Sequence, residues 1–314
     1  MLDALGSSLS TRAQQAAKIP TIARLGVSAN TPRSEAFRQG LRDHGYFAGK
    51  NIFIDDRDSG GKFEQLPALT AEMVRLKPDI IVTAGEIATR AAKAATSTIP
   101  IVMANDSDPV ASGFVASLAR PSGNITGLSN FAPELSGKRL EILREVVAKL
   151  SRVAIFGTST SPNHAQASNE IDLAAKAFGL KLQYLDVLDS RDIEPAFRAA
   201  NKQRAQAMLT LFGPIVTAQR AQIVNLAAKN RLPAMYYSNQ FVDDGGLMYY
   251  GVNILDLYHR AATYVDKILK GRTPADLPVE QPMRFEFIIS LLAAEKIGLK
   301  IPPNVLVRAT KVIR

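Results

Sequence analysis

The chain has 314 residues, of which 46% are hydrophobic and 21% are charged, and it contains no cysteine. These proportions are typical of a folded, water-soluble protein of about two domains. The lack of cysteine excludes disulfide bonds, cysteine-ligated zinc, thiol catalysis and a lipid attached to an N-terminal cysteine. Apolar runs stay well below the roughly 18 residues that a membrane-spanning helix needs, so we predict no membrane span.

The formal net charge of +9 is unevenly distributed. Residues 1–135 carry 14 basic and 13 acidic side chains, whereas residues 136–314 carry 24 and 16. In the second half, basic and acidic residues alternate as on a solvent-facing helix, for example in the run Lys138, Arg139, Glu141, Arg144 and Glu145. Because no compact basic cluster occurs, we predict no nucleic-acid partner.

Residues 1–19 are mostly small and polar and predict no packed element. They lack the basic start and the apolar stretch of a working signal peptide. However, Thr11-Arg12-Ala13 precedes Gln14-Gln15 and has a small residue at each end, as a signal-peptidase site does. We interpret residues 1–19 as a leader remnant or a disordered tail.

From residue 20 onward, β-branched runs alternate with amphipathic stretches, which predicts strands alternating with helices. In the first half, strands are predicted at residues 21–28, 51–57, 79–85, 99–105 and 124–129. The segments between these strands, where the alternation calls for helices, are residues 34–45, 63–77, 87–96 and 108–120. Because these strands are apolar on both sides, they indicate a parallel sheet covered on both faces.

The pattern restarts after a long connecting helix predicted at residues 133–150. The second set of predicted strands comprises residues 151–158, 181–188, 206–212, 232–238 and 246–252. The predicted helices of this set comprise residues 165–178, 193–204, 215–230 and 254–270. Two doubly wound sheets in series account for the length of the chain.

An internal repeat supports this division, because residues 77–105 and 205–239 share one plan. Each segment has an apolar strand, a turn with glycine, an alanine-rich helix and a strand that begins with Ile-Pro or Leu-Pro. We therefore predict an α/β fold of two Rossmann-like lobes with a hinge. Lobe 1 is predicted to comprise residues 20–129 and 253–273, and lobe 2 residues 130–252 and 274–314.

Ligands of doubly wound sheets bind beyond the carboxyl ends of the strands, which places a ligand cleft between the two lobes. The loops predicted to line it are residues 28–33, 84–88, 105–109, 157–163, 212–215 and 237–240. Three acidic residues, Glu86, Asp106 and Asp108, follow strands at this edge. A helix-start role suits Glu86 and Asp108, and paired carboxylates for acid–base chemistry among the three are the alternative.

No catalytic group of residues is complete in the sequence. His44, His164 and His259 are far apart and lack the spacing of metal ligands, so we assign them surface or packing roles. Nucleotide-binding and hydrolase motifs do not occur after any predicted strand. We predict a protein that is not an enzyme and that has neither a cofactor nor a metal site.

Several runs resemble a known family. They are VTAG-x-x-ATRAAKAATSTIPIVMAN-x-x-DPVASGFVASLARPSGNITGLSN (82–130), ELSGKRLEIL (134–143), NRLPAMY (230–236) and GGLMYYG (245–251). Together they resemble the ABC-transporter substrate-binding proteins of the tryptophan/tyrosine type, over about residues 20–305. The resemblance implies a periplasmic-binding-protein type I fold, secretion to the periplasm, and delivery of a small solute to ABC permease subunits in the membrane. It also implies that the N-terminus is a signal peptide whose front part is truncated or replaced.

The chain departs from the family at the start of the cleft helix in lobe 1. The family commonly has Gly-Thr-Pro-Ala there, whereas this chain has Gly85, Glu86, Ile87 and Ala88. A threonine hydroxyl at a helix N-terminus suits a ligand carboxylate, and Glu86 is expected to repel one. The ligand of the relatives is therefore not carried over to this chain.

The leading hypothesis is a monomeric solute-binding protein that captures an amino acid or an aromatic compound by closure of its lobes. A ligand sensor for a membrane signalling partner and the effector domain of a transcription regulator are the alternatives. The regulator would need a helix-turn-helix module, for which the first 20 residues are too few. The predicted ligand-binding residues are Ser28, Asn30, Gly85, Glu86, Asn105, Asp108, Thr158, Asn163, Phe212, Tyr237 and Tyr250.

Overall fold

The structure is a computed structural model, and it describes residues 18–27, 31–130, 134–161 and 164–314. Most of the predicted leader remnant and the predicted ligand-binding residues Ser28, Asn30 and Asn163 lie outside the described residues. Among the described residues, no helix combines the length and the apolar character that crossing a bilayer requires.

The described part of the chain contains 12 strands, numbered here in chain order. They are β1 (Thr21–Gly26), β2 (Phe53–Asp58), β3 (Ile80–Thr83), β4 (Ile101–Asp106), β5 (Ile125–Ser129), β6 (Arg152–Gly157), β7 (Lys181–Asp186), β8 (Ala207–Thr210), β9 (Ala234–Tyr236), β10 (Met248–Val252), β11 (Phe285–Ser290) and β12 (Lys311–Ile313). The α-helices in the same residues are α1 (Thr31–Asp43), α2 (Leu66–Arg75), α3 (Glu86–Ala95), α4 (Glu134–Val146), α5 (His164–Phe178), α6 (Ile193–Lys202), α7 (Pro214–Ala218), α8 (Arg220–Lys229), α9 (Gln240–Asp243), α10 (Ile254–Leu269), α11 (Leu291–Lys296) and α12 (Pro303–Leu306).

Lobe 1 is built on a five-stranded parallel sheet in the order β2-β1-β3-β4-β5. Helices α1 and α10 pack together on one face, where Phe37 and Tyr258 join the apolar side chains of the strands. Helices α2 and α3 cover the other face through residues such as Met73 and Ala92. Burial on both faces explains why β3 reads as an uninterrupted apolar run.

Lobe 2 is built on a seven-stranded sheet in the order β12-β11-β10-β9-β8-β6-β7. Its pairs are parallel except that of β10 with β11. Helix α6 illustrates how the sequence fixes the packing, because Ile193, Ala196, Phe197 and Ala200 recur at helical spacing and are all buried against the sheet. Helices α4 and α5 cover the opposite face.

The chain passes between the lobes three times. After β5 it enters α4, which packs on the second sheet, and after β10 it returns with α10 to the first sheet. Residues 277–280 pack against lobe 1, where Leu277 and Val279 are buried and Glu280 bridges to Leu128, and the chain then joins lobe 2 through β11. Residues 274–314 were all predicted to belong to lobe 2. Residues 277–280 differ from that prediction, because the side chains of Leu277 and Val279 fill the core of lobe 1.

Three further differences from the sequence analysis have local causes. Residues 108–120 form turns instead of completing the alternation with a helix, because Asp108 caps a turn at Pro109 and Gly113 adopts a left-handed backbone with φ +69. The helix predicted at residues 215–230 is two helices, α7 and α8, which meet at Gln219. Strands β11 and β12 were not predicted at all. The confirmed result is the fold class, two doubly wound α/β lobes.

Candidate ligand-binding cleft

The winding of both sheets reverses direction at equivalent strands. In lobe 1, β1 lies between β2 and β3, and in lobe 2, β6 lies between β7 and β8. Loops that leave such a switch point in opposite directions open a crevice at the carboxyl edge of the sheet. The described loops at these edges are residues 84–85, 107–109, 158–161 and 211–213, which lie within the predicted cleft-lining loops or beside them.

The lobe 1 wall is centred on the start of helix α3. Gly85 precedes this helix with a left-handed backbone, φ +93, and no side chain caps the first turn by a hydrogen bond. The first N–H groups of a helix have no partner within it and sit at the positive end of its dipole. The start of α3 can therefore donate hydrogen bonds to a polar or negatively charged group in the cleft.

Glu86 at this position is not a free negative charge. Its carboxylate forms an ion pair of 2.7 Å with Arg90, one helical turn later, and its second oxygen lies 3.5 Å from the hydroxyl of Ser107. The expectation that Glu86 repels a carboxylate ligand is therefore weakened, because Arg90 offsets most of the charge.

A chain of buried hydroxyls ends on Asp106 directly below this helix start. Thr83 and Thr89 are 2.7 Å apart, and the hydroxyl of Thr89 donates to the carboxyl of Asp106 at 2.7 Å. Asp106 is fully buried, and burial together with the nearby charge of Glu86 raises its pKa from 3.8 to about 7. Because its side chain is buried and already hydrogen-bonded, it supports the wall and does not face a ligand.

The two remaining predicted residues of lobe 1 are engaged with neighbours. The carboxylate of Asp108 accepts the N–H groups of Val110 at 3.1 Å and Ala111 at 2.9 Å, so it caps a turn and not the start of a helix as predicted. The side-chain oxygen of Asn105 accepts a hydrogen bond from the amide of Asn130, at the point where the chain leaves lobe 1. Paired catalytic carboxylates find no support in this arrangement of the described residues.

In lobe 2, close backbone packing shapes the turn before helix α7. A Cβ atom on Gly213 would lie 2.1 Å from the hydroxyl oxygen of Thr158, although the backbone there is extended. Thr158 is only 5% exposed, and its hydroxyl donates to the carbonyl of Val187 at 2.9 Å. Thr158 therefore holds the loop in place and has no hydroxyl hydrogen left for a ligand.

Aromatic rings form the accessible surface of the lobe 2 wall. The ring of Phe212 is 53% exposed at the end of β8 and meets Tyr237 edge-on, with 5.8 Å between ring centroids. Tyr237 packs in turn on Phe241 and shares a short hydrogen bond with the hydroxyl of Thr217 on α7. The exposed ring of Phe212, supported by the half-buried ring of Tyr237, offers a rigid surface for a flat or apolar ligand.

Tyr250 lies at the hinge and contacts the cores of both lobes. Its ring packs on Phe285 and Phe287 of the neighbouring strand, at centroid distances of 6.4 and 6.0 Å. Its main-chain oxygen accepts a hydrogen bond of 2.7 Å from the Nε of Arg139 on α4.

Arg139 was predicted to lie on a solvent-facing helix surface, and the structure instead places it beside the hinge strand β10. It is half-buried, and burial lowers the pKa of its guanidinium, while the hydroxyl groups of Tyr249, Tyr237 and Tyr250 act in the opposite direction. A signal existed in the spacing, since Arg139 follows Leu135 by four positions and so shares the buried stripe of α4.

The histidines take packing or surface positions. His44 contacts the hydroxyl of Thr263 and His259 pairs with Asp43, both between α1 and α10. His164 packs against the backbone at Gly157 at the start of α5. Within the described residues, no group of three or more histidine, aspartate or glutamate side chains could hold a metal ion.

Comparisons with known proteins point to one fold and one family. A tyrosine-binding protein of Clostridioides difficile (strain R20291) is 23% identical over 256 residues, which are 82% of this chain and 73% of that protein. The structure is similar to a conserved domain protein of Vibrio cholerae, with 26% identity and a TM-score of 0.82 over 94% of this chain and 100% of that one. It is also similar to an ABC domain of Streptococcus pneumoniae in complex with L-Trp, with 22% identity and a TM-score of 0.83 over 94% and 100% of the two chains.

These likenesses show the type I fold of periplasmic binding proteins, with two lobes and a cleft between them. The family described as ABC transporter substrate binding protein matches residues 26–313, nearly the whole chain. The described loops and rings lie where that fold binds its ligands, at the carboxyl edges of the two sheets. The chain belongs to the ABC transporter substrate-binding protein family.

Proposed function

We propose that this protein captures a small amino acid or aromatic compound in the cleft between its lobes. The observation that carries the proposal is the ring of Phe212, which is 53% exposed at a sheet switch point and is held edge-on by Tyr237. Large apolar side chains exposed at a cleft edge are typical of ligand contacts. The relatives that bind tyrosine and L-Trp support an aromatic or amino-acid ligand.

Capture works by a shift of population between open and closed forms. The ligand favours closure only to the extent that it contacts both walls at once. Lobe 2 offers the rings of Phe212 and Tyr237, and lobe 1 offers the N–H groups at the start of α3, beside Gly85 and Glu86. The three chain crossings at the hinge let one lobe rotate against the other while each core stays intact.

Membership of the ABC transporter substrate-binding protein family supports a role in delivery. We propose that the protein works as a monomer in the periplasm and hands its ligand to the membrane subunits of an ABC permease. We expect a permease and its ATPase to be encoded beside this gene, and the reconstituted transporter to hydrolyse ATP faster when the liganded protein is added. A neighbouring sensor kinase that responds to the same ligand, with no permease, would contradict delivery and favour the sensor alternative.

The capture proposal is tested by a thermal-shift screen of the full chain with amino acids, amines, aromatic acids and nucleosides. A ligand that binds the native state alone raises the melting temperature by mass action. Phe212→Ala should weaken an aromatic ligand about tenfold, because the buried contact of one ring is lost. Phe53→Ala is the matched control, since Phe53 is 56% exposed on an edge strand remote from the cleft. A screen without any shift contradicts the capture proposal.

A further inference from the structure

We infer that the solute held in the cleft carries a carboxylate, and that the guanidinium of Arg139 in lobe 2 receives its negative charge. This inference rests on the proposed function and specifies the chemical class of the ligand. It is carried by the position of Arg139, by its neighbours, and by the absence of a compensating acid among the described residues.

The geometry turns Arg139 toward the cleft end of lobe 2. It lies between Leu135 and Ile142 on one side of α4, and because Leu135 packs in the core of lobe 1 and Ile142 in that of lobe 2, this side of the helix lies where the two lobes meet. Its Nε donates to the main-chain oxygen of Tyr250 at 2.7 Å, which fixes the plane of the guanidinium. A guanidinium anchored through Nε keeps its two terminal nitrogens for a forked pair of hydrogen bonds to one carboxylate.

The electrostatic environment leaves the charge of Arg139 uncompensated. Besides burial, the neighbouring groups that act on its pKa are the hydroxyls of Tyr249, Tyr237 and Tyr250, and no carboxylate among the described residues forms an ion pair with it. Removing an ion from water without a counter-charge is unfavourable, and a carboxylate from outside would relieve that cost.

Other arginines on the two cleft walls differ in this respect. Arg220, which also acts on Tyr237, is held by Asp244 at 2.8 Å. Arg90 in lobe 1 is held by Glu86 at 2.7 Å. Among the described residues, the local net charge is therefore positive at Arg139 and close to zero at the Arg220–Asp244 and Arg90–Glu86 ion pairs.

Tyr237 connects the charge with the aromatic platform. Its ring meets Phe212 at a centroid distance of 5.8 Å, and its hydroxyl lies within electrostatic range of Arg139. Burial raises the pKa of Tyr237 to about 12, so its hydroxyl stays neutral at physiological pH, and it donates its hydrogen to Thr217, whose own hydrogen goes to the carbonyl of Gly213. The wall thus fits a solute with an apolar or aromatic body and a carboxylate at one end.

A purely structural role for Arg139, in which its hydrogen bond to Tyr250 stabilises the hinge strand, gives a different expectation. Loss of that hydrogen bond would lower the affinity for every ligand by the same factor, because it would act on closure. Loss of a carboxylate contact would lower the affinity for acids alone. The two roles are therefore separated by comparing each acid with its neutral amide.

The test is calorimetric titration of the full chain with three matched pairs: L-tyrosine and L-tyrosinamide, L-tryptophan and L-tryptophanamide, and phenylacetate and phenylacetamide. The wild type should bind the acid at least tenfold more tightly than the amide in each pair that binds. Arg139→Gln should abolish this preference by weakening the acid at least tenfold, about 1.4 kcal/mol, while the amide stays within twofold. Arg144→Gln is the control, because Arg144 lies on the same helix but is exposed over the ring of Phe178 and should change neither.

Each other outcome is decisive. An equal loss of acid and amide in Arg139→Gln, an unchanged acid affinity, or a wild type that binds only the amides overturns the inference and leaves solute capture standing. A wild type that binds neither these pairs nor any member of the thermal-shift screen contradicts the proposed function itself. Should the glutamine variant fail to fold, Arg139→Lys replaces it in the test, since lysine keeps the positive charge but cannot form the two parallel hydrogen bonds of a guanidinium. The acid preference should then fall several-fold with the amide unchanged, and an unchanged preference overturns the inference.

Discussion

The two walls of the cleft are built on equivalent strands but differ in chemistry. In lobe 1, polar groups satisfy one another, as Glu86 does with Arg90 and Asp106 with Thr89. In lobe 2, the ring of Phe212 is exposed, and the half-buried guanidinium of Arg139 has no ion-pair partner among the described residues. The doubly wound fold therefore fixes the position of the cleft, whereas the side chains around it determine the chemistry of each wall.

The largest expected effect concerns the buried carboxyl of lobe 1. Burial raises the pKa of Asp106 from 3.8 to about 7, so the native state holds its proton more tightly than the unfolded chain does. Its contribution to stability is therefore lost as pH rises from about 4 to 7, by up to about 4 kcal/mol, and stays constant above that range. Asp106→Asn should remove this slope and stabilise the protein at pH 8, as measured by urea unfolding at a series of pH values.

The hydroxyl chain provides the control for that measurement. Thr83→Val removes a hydroxyl from the same chain without removing a titrating group. It should shift the whole stability curve by about 1 kcal/mol and keep its slope. Parallel curves for the wild type and Asp106→Asn would show that Asp106 does not titrate in this range.

The next largest effect is on stability and concerns the two glycines that precede the equivalent helices α3 and α7. Position 213 requires glycine because a Cβ there would lie 2.1 Å from the oxygen of Thr158. Position 85 requires glycine because its backbone adopts φ +93 and ψ 164. We expect Gly213→Ala and Gly85→Ala each to lower the free energy of unfolding by about 1–3 kcal/mol, for these different reasons.

A double-mutant cycle sharpens that comparison. Thr158→Ala removes the clashing oxygen and should recover at least about 0.5 kcal/mol of the loss in Gly213→Ala, measured by urea unfolding. The same substitution should recover nothing in Gly85→Ala, since backbone strain there has no side-chain partner. Equal recovery in both cycles would mean that the two turns are shaped by one cause.

The smallest effect tests how well Arg90 offsets the charge of Glu86. Glu86→Thr should raise the affinity for carboxylate probes less than tenfold, because an ion pair at i,i+4 already compensates most of the charge. The amide probes should not respond. Calorimetric titration checks both, and a gain of tenfold or more would show that Glu86 faces the ligand as a free anion.

The fold could be predicted because local patterns and global architecture agree. Uninterrupted apolar strands such as β3, helical stripes such as that of α6 and the internal repeat all indicate two parallel sheets. The failures have physical causes. Strand β12 has three residues and no period to detect, and residues 108–120 are apolar enough for a helix but are turned by Asp108 and Gly113.

The site could be predicted only as a region. Loop positions after strands followed from the winding, and Phe212 and Tyr237 were named on that ground. Whether a side chain is already used could not be read from spacing: the hydroxyl of Thr158 is committed to Val187, and that commitment depends on a contact 29 residues away. Arg139 was missed because an arginine among alternating charges resembles a surface residue, although its helical phase places it inside. The ligand-binding roles of all the named residues stay predictions.

The central claim is that one organic solute bridges the two walls, and a crystal structure of the full chain with a ligand found in the thermal-shift screen tests it most directly. We predict a closed cleft, with the apolar part of the ligand on the ring of Phe212, its carboxylate on the guanidinium of Arg139, and a polar group within hydrogen-bond distance of the N–H groups at the start of α3. A ligand bound outside the cleft, or in contact with one lobe alone, would contradict the account.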